Sequence, residues 1–348
     1  MNPWLGWKRK RALLAEWGIY ASTSILLIQR YSREINAFDP EGLRLEQQTK
    51  IVAGDAADPD RFRILVPSLN QFLWKLTPFR EDPTWLDRIN FLTVGIFLFF
   101  MFWLIRVMLT QLGWSPAQSL VGPLLLAVLL PVAFFNSGYQ PWSWLEAVTI
   151  PLIYILGLRR SRVWLLVTVQ FVSALNRETS IALVLIPLAL LLANRNDHSV
   201  RKYFALAAAG MAIAWFAVRA FLLVAWPGPA TERAITLSEI WSRNTDFSGS
   251  ASLQWGGWLN TMFLVALFVG PVVVAAIIGV SNRAVPAQAL WIAAATVPVY
   301  FAGWLVFALW GEVRVLLPML IVAMPLALAA FSEPFRKQQA PGTPSTPP

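Results

Sequence analysis

The sequence of 348 residues contains no cysteine and a single histidine, His198. Without cysteine the chain has no disulfide bonds, no thiolate metal sites and no cysteine nucleophile. One histidine argues against a histidine-based catalytic triad or zinc site. The phosphate-binding pattern GxxxxGK[ST] is also missing, so the sequence offers no nucleotide-binding loop of that kind.

Charged residues are scarce, at 14% of the chain, whereas hydrophobic residues make up 57%. The mean hydropathy of +0.56 excludes an ordinary soluble domain. A net charge of +9 would suggest nucleic acid as the partner of a soluble protein. In a membrane protein the excess of positive charge in cytoplasmic loops explains it, so membrane lipids and not nucleic acid are the predicted partners.

Long apolar stretches predict an all-α polytopic membrane protein with about ten transmembrane helices. The stretches lie near residues 12–28, 89–109, 116–135, 143–158, 163–175, 179–193, 203–226, 258–279, 288–310 and 314–331. Residues 1–331 therefore form one transmembrane domain. The Pro/Ser/Thr-rich tail, residues 332–348, is expected to be disordered and cytoplasmic.

Basic residues 8–11 precede the first apolar stretch, which ends without a small-residue cleavage site. This pattern predicts an uncleaved signal anchor with a cytoplasmic N-terminus. Ten spans return the C-terminus to the same side, and the basic connectors 159–162 and 195–202 also fall there. The expected location is the bacterial inner membrane. Sixteen of the nineteen acidic residues then face outwards, which indicates an extracytoplasmic working face.

The first extracytoplasmic loop, residues 30–88, is the only long polar segment and carries ten acidic and nine basic residues. Within it, apolar side chains at helical spacing alternate with polar ones from Leu65 to Leu76. This spacing predicts an amphipathic helix that lies on the membrane surface.

Three carboxylates follow the first span closely: Glu34, Asp39 and Glu41. A carboxylate held at a membrane surface can act as general base for a hydroxyl group, and Asp39 is the best-placed candidate. The alternative is a solvated turn, because Asp-Pro sequences favour turns.

Arg61 and Arg63 lead into the amphipathic helix. Their planar guanidinium groups suit the oxygens of a lipid phosphate. General attraction to anionic lipid headgroups is the alternative.

Two short polar segments interrupt apolar stretches on the predicted outer side. Asn176, Arg177 and Glu178 separate two stretches of about half the usual span length, and Glu312 and Arg314 precede the last span. Charged groups at such positions are costly and suggest function. In each segment the alternative is an Arg–Glu pair that fixes the turn.

The chain resembles the GT-C-type membrane glycosyltransferases, which use sugars linked to polyprenyl phosphate. The resemblance covers residues 1–330: the cytoplasmic N-terminus, the large first outer loop with early acidic residues, and the amphipathic helix within it. Three segments resemble patterns in uncharacterised bacterial multispanning proteins that are suspected members of this class. They are residues 61–67 (RFRILVP), 175–179 (LNRET) and 311–314 (GEVR).

The resemblance implies transfer of a hexosyl or pentosyl group, with inversion, from a polyprenyl-phosphate donor to a hydroxyl of a glycan, lipid or protein. It implies Asp39, Glu34 or Glu41 as the base. The donor phosphate is expected at Arg61, Arg63, Arg177 and Arg314, supported by Asn176, Glu178 and Glu312. No metal ligand is predicted, although a divalent cation is compatible with the class; its usual pair of adjacent carboxylates is absent here.

Two other functions fit the same pattern. A polymerase or ligase of cell-envelope polysaccharides would also place arginines and carboxylates outside. A transporter would need polar groups along a path through the membrane, whereas stretches 258–279 and 288–310 carry no charge.

Overall fold

The structure, a computed structural model, describes residues 3–39, 42–56, 60–134, 140–225, 238, 242, 257–282, 285–307 and 313–331. Every regular element within these ranges is a helix, which confirms the predicted all-helical fold. The tail 332–348 lies outside the described residues.

Twelve α-helices of nine or more residues are labelled here in chain order. They are α1 (Pro3–Phe38), α2 (Leu43–Ala53), α3 (Leu65–Lys75), α4 (Pro83–Gln111), α5 (Pro116–Phe134), α6 (Trp142–Leu158), α7 (Val163–Asn176), α8 (Leu185–Ala193), α9 (His198–Ala225), α10 (Gly257–Ser281), α11 (Ala287–Phe307) and α12 (Leu317–Leu328). Short 3₁₀ segments occupy Asp60–Phe62, Glu178–Val184, Val313–Leu316 and Ala329–Phe331.

Seven helical segments among the described residues are long and apolar enough to cross a membrane. They are Arg11–Ala37, Pro83–Gln111, Pro116–Phe134, His198–Ala225, Met262–Ser281, Ala287–Val306 and Val313–Phe331. The other three predicted spans are shorter apolar helices, Trp142–Leu158, Val163–Asn176 and Glu178–Ala193. With 14 residues, α7 is roughly 21 Å long, well short of a bilayer core of about 30 Å.

Helix α12 forms the centre of the bundle, and all twelve of its residues are buried. A helix that is apolar on every side must be covered on every side, and α12 packs against α5, α6, α10 and α11. The contact with α10 is close: a Cβ atom at Gly279 would lie 2.1 Å from the carbonyl oxygen of Leu326. A side chain at Gly279 would therefore push these two helices apart.

The first loop is shorter and more ordered than its sequence suggests. Helix α1 continues to Phe38, beyond the expected loop start at Arg30, because Tyr31 and Ile35 continue its buried face one turn apart. At the other side Asp82 caps the start of α4 through the backbone N–H of Thr84, at 2.9 Å. The loop therefore comprises residues 39–82, and the bundle end that carries it is called the loop end below.

The predicted amphipathic helix is confirmed as α3. Its buried face, with Val66 and Asn70, packs on α4, α6 and α7, whereas Leu69, Phe72 and Leu76 are exposed. This arrangement leaves an apolar face outside the protein, as a helix at a membrane surface requires. Helix α2 was not predicted; it lies between Gly42 and Gly54, whose left-handed backbone conformations (φ 73° and 84°) suit glycine.

Candidate functional site

The turn between α7 and α8 brings polar side chains into the loop end. Helix α7 stops at Asn176 because Arg177 adopts an extended backbone, and the chain resumes as a 3₁₀ segment at Glu178. Asn176, Arg177 and Ser180 are all at least nine-tenths buried. Residues 176–180, together with Glu146 of α6, are called the charged turn below.

Arg177 pairs with a carboxylate that the sequence did not single out. Its Nη1 atom lies 3.0 Å from Glu146, and the hydroxyl of Thr179 donates to the other oxygen of Glu146 at 2.8 Å. Glu146 is only 2% exposed. The sequence left open an Arg–Glu pair that fixes the turn. In the structure Arg177 pairs with Glu146 of α6 and so joins the turn to that helix.

Glu178 pairs with Arg63 of the first loop. Arg63 contacts Glu178 through Nη2 at 2.6 Å and Nε at 3.3 Å, and Asp60 through Nη1 at 2.7 Å. Its guanidinium also lies 5.7 Å from the ring centre of Trp142, at the start of α6. Carboxylates thus engage all three nitrogens of Arg63, and the pair ties the first loop to the charged turn. The side chain of Arg61 lies outside the described residues.

Arg219 of α9 lies beside this pair. Electrostatic interactions couple it to Glu178 and Arg63, and the indole N–H of Trp215 donates to the backbone carbonyl of Glu178 at 3.1 Å. The closest hydrogen bond of Arg219 is a marginal one, from Nη1 to the carbonyl oxygen of Phe62 at 3.5 Å. Its Nε and Nη2 atoms are buried without a hydrogen-bond partner among the described residues.

Arg314, expected near the donor phosphate, lies deep in the bundle and is 2% exposed. It interacts electrostatically with Tyr31, whose ring packs against Phe134 and Trp144. Glu312 lies outside the described residues.

Asp39 has a well-defined structural role. Its carboxylate accepts the backbone N–H of Leu43 at 2.9 Å and of Arg44 at 3.0 Å, which caps α2, and it pairs with the Arg44 side chain at 3.2 Å. Arg44 also binds Asp87 of α4 with two nitrogens, at 2.9 and 3.0 Å. Asp39 therefore helps to fix the loop against α4.

These contacts also change the acidity of Asp39. Partial burial alone would raise the pKa of its carboxyl group, but the backbone N–H groups of Arg44 and Leu43 and the Arg44 guanidinium together hold that pKa below its ordinary value. A base whose pKa is lowered accepts a proton less readily. The assignment of Asp39 as general base stays a prediction, and in this conformation the contacts weaken it.

The other two predicted bases lie elsewhere or outside the described residues. Glu34 is on the last turns of α1 and forms an ion pair with Arg30 one helical turn before it. Glu41 lies outside the described residues. Both assignments stay predictions.

A second polar cluster fixes the loop helices to α4. Asn70 donates to Asn90 at 2.7 Å, Asn90 donates to Gln48 at 2.7 Å, and Thr93 donates to Asn70 at 2.7 Å. Gln48 in turn donates to the backbone carbonyl of Pro67 in α3, at 3.3 Å. These four uncharged side chains, all buried, are called the neutral network below.

The charged turn, in contrast, contains buried polar atoms without a partner in the described part of the chain. They include Oδ1 of Asn176 and Nε of Arg177. The hydroxyl of Tyr300, on α11, is likewise buried and unpartnered, and it interacts electrostatically with Glu146 and Arg177. A buried polar atom without a hydrogen bond raises the free energy of the folded state, so atoms of this kind commonly bind water or a ligand.

The sequence did not predict that Glu146 belongs to the site, nor that the neutral network fixes the loop. A lone glutamate near the end of an apolar stretch was a usable signal for Glu146, because such a charge needs a partner. No sequence signal pairs Asn70 with Asn90, twenty residues apart. Within the described ranges no three His, Asp or Glu side chains are grouped so that they could hold a metal ion.

No protein-family model, curated protein or solved structure matches this chain.

Proposed function

We propose that the chain is a membrane glycosyltransferase of the GT-C type, with about ten transmembrane helices and its active site at the loop end. It transfers a sugar from a polyprenyl-phosphate donor to an acceptor hydroxyl outside the cytoplasm, in a bacterial inner membrane. The observation that carries the proposal is the Arg63–Glu178 contact, which joins the first loop to a buried, charged interruption between two short helices.

This contact matters because it brings together two separate sequence features on which the resemblance rests. The first loop supplies Arg63 and Asp60, and the charged turn supplies Arg177, Glu178 and Glu146. Cations and carboxylates gathered at one end of an apolar bundle suit a substrate with a phosphate and a sugar on a membrane-resident chain. A donor that resides in the membrane needs no nucleotide-binding domain.

The reaction breaks the bond between the anomeric carbon and the phosphate oxygen and forms a bond from that carbon to the acceptor oxygen. The acceptor proton passes to a carboxylate, and polyprenyl phosphate leaves with the bonding electrons. An arginine at the loop end stabilises the charge of the leaving phosphate. The base is one of the three predicted carboxylates, Glu34, Asp39 or Glu41, and their amide variants distinguish among them by turnover.

One observation bears on transport as the competing function. The far end of the bundle holds a partly buried ion pair, Arg106–Glu16, at 2.5 Å, with Tyr20 donating to the same carboxylate. Along α4, Arg106 lies roughly 28 Å from Asp87. Among the described residues, Arg106–Glu16 and Arg44–Asp87 thus lie near opposite ends of α4, which favours a site at one face over a polar path across the membrane.

The test is release of polyprenyl phosphate by the purified protein. Polyprenyl-phosphate hexoses and pentoses are supplied with glycan, lipid and peptide acceptors, first in detergent and then in sealed vesicles. The proposal predicts acceptor-dependent release in detergent with at least one donor. Movement of the lipid or sugar in sealed vesicles without release in detergent identifies a transporter. Extension of a glycan by many units identifies a polymerase.

A further inference from the structure

Among the described residues, Arg219 differs from Arg44, Arg63 and Arg177 at the loop end, because each of those three pairs with a carboxylate. Arg63 has three carboxylate contacts and Arg44 binds Asp39 and Asp87, whereas Arg219 has one hydrogen bond at 3.5 Å and a tryptophan ring 5.9 Å away. Two of its three guanidinium nitrogens are buried and unpartnered within the described residues.

A guanidinium in this state is unfavourable by itself. It stays charged at any physiological pH, so burial cannot be relieved by loss of a proton. Two buried N–H donors without acceptors lose their hydrogen bonds to water and gain none from the protein. The missing element is an acceptor that carries negative charge.

We propose that Arg219 binds the phosphate of an anionic isoprenoid lipid, as the cation that holds the donor and the leaving phosphate. The inference rests on the proposed function and names a residue that the sequence motifs did not include. Arg63, which the sequence predicted for this role, instead holds Glu178 away from Arg219.

The position of Arg219 suits this ligand. It lies on α9 less than two turns before Ala225, the last described residue of a span-length apolar helix, and we expect lipid headgroups near this end of the span. Nε and Nη2 form one edge of the guanidinium fork, which matches two phosphate oxygens. The exposed apolar side chains Phe216 and Leu223 on the same helix leave room for a lipid chain alongside.

Binding is measured directly, without reference to transfer. The full-length protein in detergent is titrated with polyprenyl monophosphate, with the matching polyprenol, with phosphatidylglycerol and with inorganic phosphate, and tryptophan fluorescence reports binding. The variants are Arg219→Ala and Arg219→Lys. The matched control is Arg88→Ala, because Arg88 also lies over a tryptophan, Trp85, at 4.7 Å, but is exposed.

The expected result is a rise in the Kd for polyprenyl monophosphate of about 10- to 100-fold in Arg219→Ala, with a smaller rise in Arg219→Lys, which keeps the charge but loses the fork. The control variant and the polyprenol titrations should not change. A wild-type Kd in Arg219→Ala, with the fold retained, would overturn the inference and leave the proposed function standing.

The remaining outcomes separate the two proposals. If the wild-type protein binds phosphatidylglycerol or inorganic phosphate through Arg219 but not the polyprenyl lipid, the anion site stands with a different ligand and the proposed donor fails. If no phosphate-bearing probe binds in an Arg219-dependent way, the site is not an anion site.

Discussion

The neutral network and the charged turn are both buried at the loop end, yet they differ in how completely their polar atoms are paired. In the neutral network each of the three amide side chains, Gln48, Asn70 and Asn90, uses both its donor and its acceptor group. Their partners are other members of the network, except that Gln48 donates to the backbone carbonyl of Pro67. In the charged turn Asn176 uses only its donor, and Arg177 leaves Nε unpartnered among the described residues.

This difference in hydrogen-bond pairing favours a structural role for the neutral network and a ligand-binding role for the charged turn. A fully paired network of uncharged amides fixes two elements together and has no atom left for a ligand. A cluster with charged groups and unpaired donors is less stable by itself and becomes favourable when a ligand or water completes it. The neutral network therefore fixes the loop, whereas the unpaired atoms of the charged turn support our proposal that it belongs to the substrate site.

The largest effect is expected from breaking the buried ion pair of the charged turn. Arg177→Ala leaves the Glu146 carboxylate buried without its cation, which should lower the free energy of unfolding by about 3–5 kcal/mol. Unfolding in detergent, followed by tryptophan fluorescence, measures this. The double variant Arg177→Met/Glu146→Gln removes both charges and should be clearly more stable than Arg177→Ala. Equal stability of the two variants would show that the pair is not the cause.

A smaller effect is expected from opening the neutral network. Asn90→Ala leaves the amide groups of Gln48 and Asn70 without their partners and should cost about 1–3 kcal/mol. Hydrogen exchange should increase in α2 and α3, because these helices lose their connection to α4. Thr49→Ala is the control, since its exposed hydroxyl bonds only within α2. Unchanged exchange in Asn90→Ala would mean that apolar contacts alone fix the loop.

Removing Arg63 should act on ligand binding through Glu178. In Arg63→Ala the carboxylate of Glu178 loses its partner and becomes available to Arg219, so the affinity for polyprenyl monophosphate should fall about tenfold. Adding Glu178→Gln should restore most of that affinity, because the competing charge is gone. If the double variant binds as weakly as Arg63→Ala, Arg63 itself contacts the phosphate, as the sequence predicted.

The smallest effect is expected at Asp39. Because the pKa of Asp39 is lower in the folded protein, its carboxylate stabilises the fold fully when the pH is above 3.8, the ordinary pKa of aspartate. This contribution is lost as the pH falls through the lower pKa of the folded state. Asp39→Asn should therefore cost at most about 1 kcal/mol near neutral pH and nothing in strong acid.

Turnover of the same variant tests the other role of Asp39. Glu46→Gln, an exposed substitution in α2, is the control. A fall in turnover of about 10²–10⁴-fold in Asp39→Asn alone would identify Asp39 as the base.

The sequence predicted the helices well because each apolar stretch must be helical in a membrane, where every backbone group needs an internal partner. The amphipathic spacing from Leu65 to Leu76 likewise located α3. Helix α2 was missed because its two buried residues, Gln48 and Ile51, give no apolar face to recognise. Pairings between distant residues, such as Arg63 with Glu178, depend on how the helices pack and cannot be predicted from spacing.

The role of Arg219 is tested most directly by a structure of the protein determined in a lipid disc with polyprenyl monophosphate. We expect the phosphate within hydrogen-bond distance of Nε and Nη2 of Arg219, beside the charged turn, with the Arg63–Glu178 pair and the neutral network unchanged. A phosphate held by Arg63 or Arg314, with Arg219 turned to a carboxylate of the chain, would contradict it.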